Sequence, residues 1–224
     1  MRKRKKLLKI LRKAIYDIHE ELIFEANVNK EVPVSYSDTL EIKKIDRENS
    51  EPLIQFYYKF DLGGRDSAKV IQRCFELNHK CFAAIKNGDI VGYIWWGDHT
   101  LRFDREDPDE KFLDDGILNL TKDDVYVFFL FVSPEHRSRN TAIKLILSFV
   151  TELRKSGYSR VYGYVALNNL PAYYVCKLLG ADTQKRIPVH RYFLFILFKN
   201  NKFYWDRAGH KGFINSLKKL LKKK

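Results

Sequence analysis

The sequence predicts an α/β protein built on one mixed sheet with helices on its flanks. Three observations carry that reading. Strand-like and helical segments alternate as β-α-α-β-β-β-α-β-α-β with a closing strand, without the uniform βαβ repeat of an all-parallel sheet. Val125 to Val132 is a run of eight apolar residues rich in β-branched and aromatic types. That is too short to span a membrane and reads as a strand buried on both faces. After Ser133-Pro134 the period changes: Ala142, Leu145, Ile146, Phe149, Val150 and Leu153 recur at helical spacing.

The elements follow in order. Leu7, Leu11, Ala14, Ile15, Ile18 and Leu22 predict an amphipathic helix over residues 3–22, with Lys and Arg on its other face at the start. Glu20 to Val28 reads either as its continuation or as an extra strand. Pro33 and the polar segment after it mark a boundary, which divides the chain into an extension (1–37), a body (38–205) and a C-terminal helix (206–224). Thr39 to Ile45 alternates as a half-buried strand. Glu51 to Phe60 and Asp66 to His79 are helical, the second with Asp66 or Ser67 as N-cap and with Val70, Ile71, Cys74, Phe75 and Leu77 as its apolar side. Cys81 to Gly97 holds two strands joined by Asn87-Gly88, a strong hairpin signal. Residues 98–123 are polar and acid-rich and give no clear element. Arg160 to Ala166 is a strand, Pro171 to Leu179 a short helix stopped by Gly180, and Val189 to Phe198 a long aromatic strand.

Composition narrows the classes. A chain of 224 residues, 45% hydrophobic and 14% aromatic, is globular rather than disordered. Three cysteines at irregular spacing make neither a disulfide framework nor a metal pattern, which fits a reducing, cytoplasmic compartment. The basic N-terminus is followed by no unbroken apolar core of a signal peptide. The net charge of +13 is confined to the ends: residues 1–13 hold eight Lys and Arg, residues 217–224 hold five, and the remaining 28 balance the 28 acids. Both ends pair that charge with a Leu/Ile face. They therefore suit either docking on the body or peripheral contact with an anionic membrane. Few aromatics accompany the charge, which ranks a nucleic-acid partner low. HExxH, GxSxG and Walker patterns do not occur, and the histidines have no paired metal spacing, so no metal is expected.

The segment between the central strand and its helix, EHRSRNT, has no apolar side chain. A strand-to-helix joint presents free N–H groups and a positive dipole end, to which Arg137 and Arg139 add charge. Ser138 and Thr141 lie in the same turn. This string resembles the pyrophosphate loop of the GNAT superfamily of acyl-CoA N-acyltransferases, Arg/Gln-x-x-Gly-x-Gly/Ala. Arg137, Asn140 and Ala142 fall on its fixed positions, and Val132, Pro134 and Glu135 on the Val-x-Pro-Glu before it. Asn140 stands where the family has glycine, and asparagine tolerates the positive φ such a turn needs. A second segment, Asn169-x-x-Ala172 with Gly180 further on, is similar to the family's Asn-x-x-Ala…Tyr-x-x-x-Gly-Phe. Cys176 holds the tyrosine position, Ala181 the phenylalanine position, and Tyr173 lies one helical turn before Cys176.

The resemblance covers about residues 38 to 205. It implies a mostly antiparallel central sheet splayed at its fourth strand; the basic helical extensions, read from spacing and charge, lie outside it. It also implies transfer of an acetyl group from acetyl-CoA to a primary amine of a small molecule or peptide. The cosubstrate would be held by Leu130, Phe131 and Val132 on the splayed strand, by the loop from Arg137 to Ala142, and by Asn169. Cys176 or Tyr173 would be the acid toward the leaving thiolate; Cys176 also reads as a packed core residue. No base is assigned, because the central strand has no carboxylate and Asp124, Asp98 and His99 read as solvated. The alternative is a noncatalytic binding module of the same fold, which the asparagine, the cysteine and the missing carboxylate favour.

Overall fold

A computed structural model of the chain describes residues 16–29, 40–63, 66–103, 118–137, 140–178, 180–192, 195–197 and 203–205. Nine strands lie among them: β1 (Tyr16–Asn27), β2 (Glu41–Ile45), β3 (Lys80–Lys86), β4 (Asp89–Asp98), β5 (Asp124–Val132), β6 (Arg160–Ala166), β7 (Asp182–Tyr192), β8 (Phe195–Leu197) and β9 (Phe203–Trp205). They form one sheet in the order β2-β3-β4-β5-β6-β1-β7-β8-β9. β5 and β6 pair in parallel, and the other neighbours are antiparallel. The α-helices among the described residues are α1 (Glu51–Lys59), α2 (Ser67–Glu76), α3 (Thr141–Lys155) and α4 (Leu170–Leu178).

Strand periodicity divides the core into two layers. Cys81, Ala83, Tyr93 and Trp95 pack against Leu53, Ile54, Phe56 and Tyr57 of α1 and Ile71 of α2. Their neighbours Phe82, Ala84, Ile94 and Trp96 point the other way, onto Leu145, Ile146, Phe149 and Leu153 of α3. The hairpin turn is the expected one: Asn87 and Gly88 have φ of 53° and 88°, the left-handed pair that a two-residue turn demands. α3 buries the face that the spacing predicts, with Thr141 fully buried in place of the half-buried Ala142. α2 departs further, since Val70 is exposed while Ile71 is fully buried. α4 ends at a left-handed Gly180, whose neighbour Ala181 donates its N–H to the Cys176 carbonyl at 3.0 Å, closing the helix end.

Two expectations need correction. Residues 16–22 belong to a strand, not to an amphipathic helix; the earlier part of that helix lies outside the described residues, as do Pro33 and the helix over 206–224. Leu22, Phe24, Ala26 and Val28 alternate, and an antiparallel ladder on each side satisfies the backbone of residues 21–25. The strand lies deep inside the sheet, between β6 and β7. β5 is not buried throughout: Asp124 to Tyr126 are, but Phe129 is 45% exposed. The cause is the limited contact with β6 that follows.

β5 and β6 share only four rungs, Asp124↔Arg160 to Val127↔Gly163. The first rung is clamped by its own side chains. Arg160 donates to the two Asp124 oxygens at 2.7 and 3.0 Å, and the Thr121 N–H and hydroxyl donate to Oδ2 at 2.8 and 2.7 Å. Burial pushes the Asp124 carboxyl up, but these donors outweigh it and hold it below the usual carboxylate range. Stabilisation from a depressed carboxyl is complete above about pH 4 and is lost as pH falls through the folded-state value. Asp124→Asn should lower the unfolding free energy at pH 7 by about 2 kcal/mol in urea titration. The gap between wild type and variant should stay constant from about pH 5 to 8 and shrink below about pH 4.

Candidate functional site

Past Val127 and Gly163 the two strands part, and the edge of β5 that faces β6 carries no further ladder bonds. A bulge on the opposite side contributes to this. Trp95 pairs with Phe129 and Trp96 with Val127, which leaves Phe128 as the extra residue of β5. The expected splay is therefore at the fifth strand of the sequence, which is the fourth counted without β1.

The gap opens into a cavity of about 100 Å³. Phe128 and Leu130 line it from β5, Tyr164 and Val165 from β6, Phe149 and Val150 from α3, and Ala172, Val175 and Cys176 from α4. Phe24 and Ala26 reach it from β1. Phe24 can approach because position 163 is glycine: a Cβ there would stand 2.6 Å from its ring and 3.0 Å from the Val127 carbonyl oxygen. Neither Phe24 nor Gly163 was singled out from sequence. The alternation of Leu22, Phe24, Ala26 and Val28 was the available signal, hidden by the helical spacing before it.

Beyond the gap, β5 ends at Ser133 and the chain turns through a short 3-10 segment, Pro134–His136, into the loop before α3. Ser133 is buried, donates its N–H to the Val91 carbonyl at 2.9 Å, and its hydroxyl contacts His136 Nδ1 at 2.9 Å. Arg137 folds back: its Nε donates to the Val132 carbonyl at 3.0 Å and its guanidinium lies 5.5 Å from the Phe131 ring centroid. This ties the loop to the end of β5 while leaving the residue exposed. Ser138 and Arg139 lie outside the described residues. Asn140 has φ 56°, the left-handed geometry expected where a glycine would be usual, and its side chain makes no cap bond to α3. The first-turn N–H groups of α3, from Thr141 to Ile143, have no intrahelical acceptor by geometry. With the helix dipole they make the mouth of the cleft suited to an anion.

The second predicted segment divides. Asn169 is exposed and caps α4, accepting the Ala172 N–H on Oδ1 at 3.4 Å while its carbonyl accepts the Tyr173 N–H at 3.0 Å. Cys176 lines the cavity, and burial pushes its thiol up to about 11. Tyr173 is half-buried and stacks edge-on with Tyr174, with Lys177 6.0 Å from its ring centroid. It is not among the residues that line the cavity.

The carboxylates near the central strand are buried, not solvated. Asp98 is 8% exposed and accepts Lys80 Nζ at 2.6 Å, the Thr100 N–H at 2.9 Å and the Tyr158 hydroxyl at 3.1 Å. Burial pushes its carboxyl up, and the Lys80 and Thr100 donors outweigh that and hold it well below the usual range. A carboxylate held this low is a poor proton acceptor at neutral pH, as is Asp124. His99 is exposed at the turn after β4. Among the described residues no group of three His, Cys, Asp or Glu is arranged to hold a metal ion, and no helix is long and apolar enough to cross a membrane.

A β-bulged, splayed strand feeding an anion-suited helix N-terminus is the arrangement of an acyltransferase fold. Residues 41–181, more than half of the chain, match the acetyltransferase (GNAT) family, and the chain belongs to that family. Among solved structures it is similar to the GCN5-related glucosamine N-acetyltransferase region of a fungal multi-domain GH3 β-N-acetylglucosaminidase, at 16% identity and a TM-score of 0.55, over 83% of this chain and 22% of that one. A functionally unknown conserved protein from Staphylococcus epidermidis aligns at 14% identity and a TM-score of 0.54, over 82% of this chain and 65% of that one. A GNAT-family acetyltransferase from Colwellia psychrerythraea aligns at 12% and 0.52, over 77% and 55%. At these identities the likeness is one of fold, and the chain spans less than two thirds of the length of each. No curated protein matches the sequence.

The contact between Phe24 and Gly163 yields a direct test. Gly163→Ala should cost about 1–3 kcal/mol of stability, because the new methyl meets a ring and a strand carbonyl with little room to move. Phe24→Leu in the same chain should recover part of the loss, read as a coupling energy in a double-mutant cycle of urea titrations.

Proposed function

We propose that the protein is an N-acetyltransferase that moves an acetyl group from acetyl-CoA to a primary amine of a small molecule or peptide. The observation that carries this is the opening between β5 and β6, with an apolar cavity lined by both strands and the turn into α3 at the end of β5. The residues fit the cosubstrate at both ends. The α3 N–H groups, Asn140 and Arg137, with Ser138 and Arg139 beside them in sequence, suit a diphosphate. The edge of β5 without ladder bonds, from Phe128 to Phe131, supplies backbone groups for an extended arm and its carbonyl. Acetyl-CoA, when bound, supplies the activated acyl group as a thioester.

The chain's own contribution is positioning and proton handling. Phe131 and Val132 hold the Arg137 guanidinium at the cleft mouth. Asn169 fixes the first turn of α4, which carries Cys176 into the cavity. Burial holds the proton on the Cys176 thiol at neutral pH, and the same burial makes it a weaker acid toward a departing thiolate than an exposed thiol would be. Tyr173 serves this role less well because it lies off the cavity lining. A second reading, a noncatalytic binding module, draws on the commitment of Asp98 and Asp124 to ion pairs. Turnover on a panel of amines separates the two. The basic ends, outside the described residues, add peripheral contact with an anionic membrane to the proposal, read by sedimentation with anionic against neutral vesicles.

Two substitutions test the site. Arg137→Glu should weaken acetyl-CoA binding at least tenfold in isothermal titration, since it sets a negative charge against the helix end and removes the tie to Val132. Unchanged affinity would remove this loop from the diphosphate site. Cys176→Ala should slow single-turnover acyl transfer about a hundredfold while CoA affinity stays within about twofold. Tyr173→Phe should leave the rate within about twofold; the reverse pattern would assign the proton to Tyr173.

A further inference from the structure

The gap between β5 and β6 opens on both faces of the sheet. Phe128 and Tyr164 line the cavity on the α3 and α4 side. Both also pack into the cluster of Ile23, Tyr126 and Ile187 on the opposite face. Phe129 pairs with Trp95, which places it on that opposite face, where it is 45% exposed. Glu21 lies on the same face across the gap. It pairs with Ala166 of β6 and Ile187 of β7, and Ile23 pairs with Tyr164. Glu21 and Tyr164 are therefore diagonal neighbours, past Gly163, at the level where the strands have parted. Glu21 is 6% exposed, so water screens its charge little. Glu25, on this face too, stands instead at the locked end opposite Tyr162, whose hydroxyl burial and a hydrogen bond to Glu25 push up to about 12. β1 precedes the segment that matches the family. Its carboxylates are additions to the family pattern quoted above.

Resting on the acetyltransferase reading above, we propose that the acceptor is a diamine, whose near nitrogen attacks beside Phe129 and whose far ammonium is held by Glu21. The near nitrogen reacts as the neutral amine. Its C–N bond forms, the C–S bond of the thioester breaks, the nitrogen releases one proton, and the sulfur gains one to leave as the CoA thiol. Two strand spacings, roughly 10 Å, separate β5 from β1, and the Glu21 side chain spans part of that, which leaves room for about five carbons between the nitrogens. The far ammonium keeps its charge. A charge-assisted bond to a poorly solvated carboxylate favours it over a methyl end, and a carboxylate end meets repulsion there. The residue sets specificity and takes no part in the proton transfers.

Steady-state acetyl transfer by the full chain to n-pentylamine, 1,5-diaminopentane and 5-aminopentanoate tests this. The diamine should exceed the monoamine about tenfold in kcat/KM, and the amino acid should fall below both. Glu21→Gln should bring the diamine-to-monoamine ratio down to about two, the statistical value for two equivalent nitrogens, through a higher KM for the diamine. The same variant should raise 5-aminopentanoate several-fold relative to n-pentylamine. A carboxylate that serves stability alone would lower Tm and leave both ratios where they were, which overturns the assignment of Glu21. Should that variant fail to fold, Glu21→Asp reads the same contact: its shorter arm should shift the preference toward 1,6-diaminohexane, and an unshifted preference overturns the assignment. Turnover on amines without a preference for the diamine overturns the proposal and leaves acetyl transfer intact. No turnover on any amine overturns both.

Discussion

Four rungs of parallel sheet set the geometry of this protein. Between Asp124–Val127 and Arg160–Gly163 the central strands are locked, and the Asp124–Arg160 pair occupies the first of these rungs. A parallel ladder that continued would give a closed sheet with no cleft. The bulge at Phe128 turns β5 away after the fourth rung, so the backbone beyond loses its partner on that side. An unpaired strand edge is normally a liability that a fold covers. Here α3 and α4 pack over the same face of the sheet and turn the gap into a cavity.

The strand that completes the wall comes from the beginning of the chain. β1 lies between β6 and β7, with seven register pairs to the first and ten to the second. Its position couples the N-terminal segment to the cleft, since Phe24 and Ala26 line the cavity while Arg154 at the end of α3 donates to the Val28 carbonyl at 2.7 and 3.1 Å. The glycine at 163 is the counterpart of that arrangement. A side chain there would separate β1 from β6 or fill the cavity floor, so one missing methyl serves packing and site together.

What the sequence made legible follows from which interactions are local. The hairpin at Asn87-Gly88, the apolar stripe of α3, the Gly180 stop and the left-handed turn at Asn140 each depend on a few neighbouring residues, and each has the predicted conformation. β1 was obscured because Leu7 to Leu22 carries a helical period while Leu22 to Val28 carries a strand period. Only the ladders to β6 and β7 decide between them. The burial of Asp98 and Asp124 was illegible for a similar reason. Their partners Lys80, Tyr158 and Arg160 lie 18 to 60 residues away.

Those two carboxylates also constrain the chemistry. Each is near the central strand, and each is committed to donors that hold it ionised and weakly basic. Making either one a base would require breaking the contacts that close the sheet at its locked end. For Asp124 that contact is the first rung itself. Stability and proton abstraction therefore compete for the same atoms, and the geometry resolves the competition in favour of stability. An amine reaching the cleft would meet aromatic surface, with Phe129 exposed on the splayed strand and the half-buried Phe128 beside it, packed against His79. A cation is attracted to such ring faces, yet only the neutral amine attacks a carbonyl. In the proposed reaction, with both carboxylates committed to their donors, solvent at the exposed edge of β5 would take the proton. In the proposed transfer the same strand edge would serve the acyl donor with backbone groups and the acceptor with solvent, and both follow from the ladder stopping at Val127.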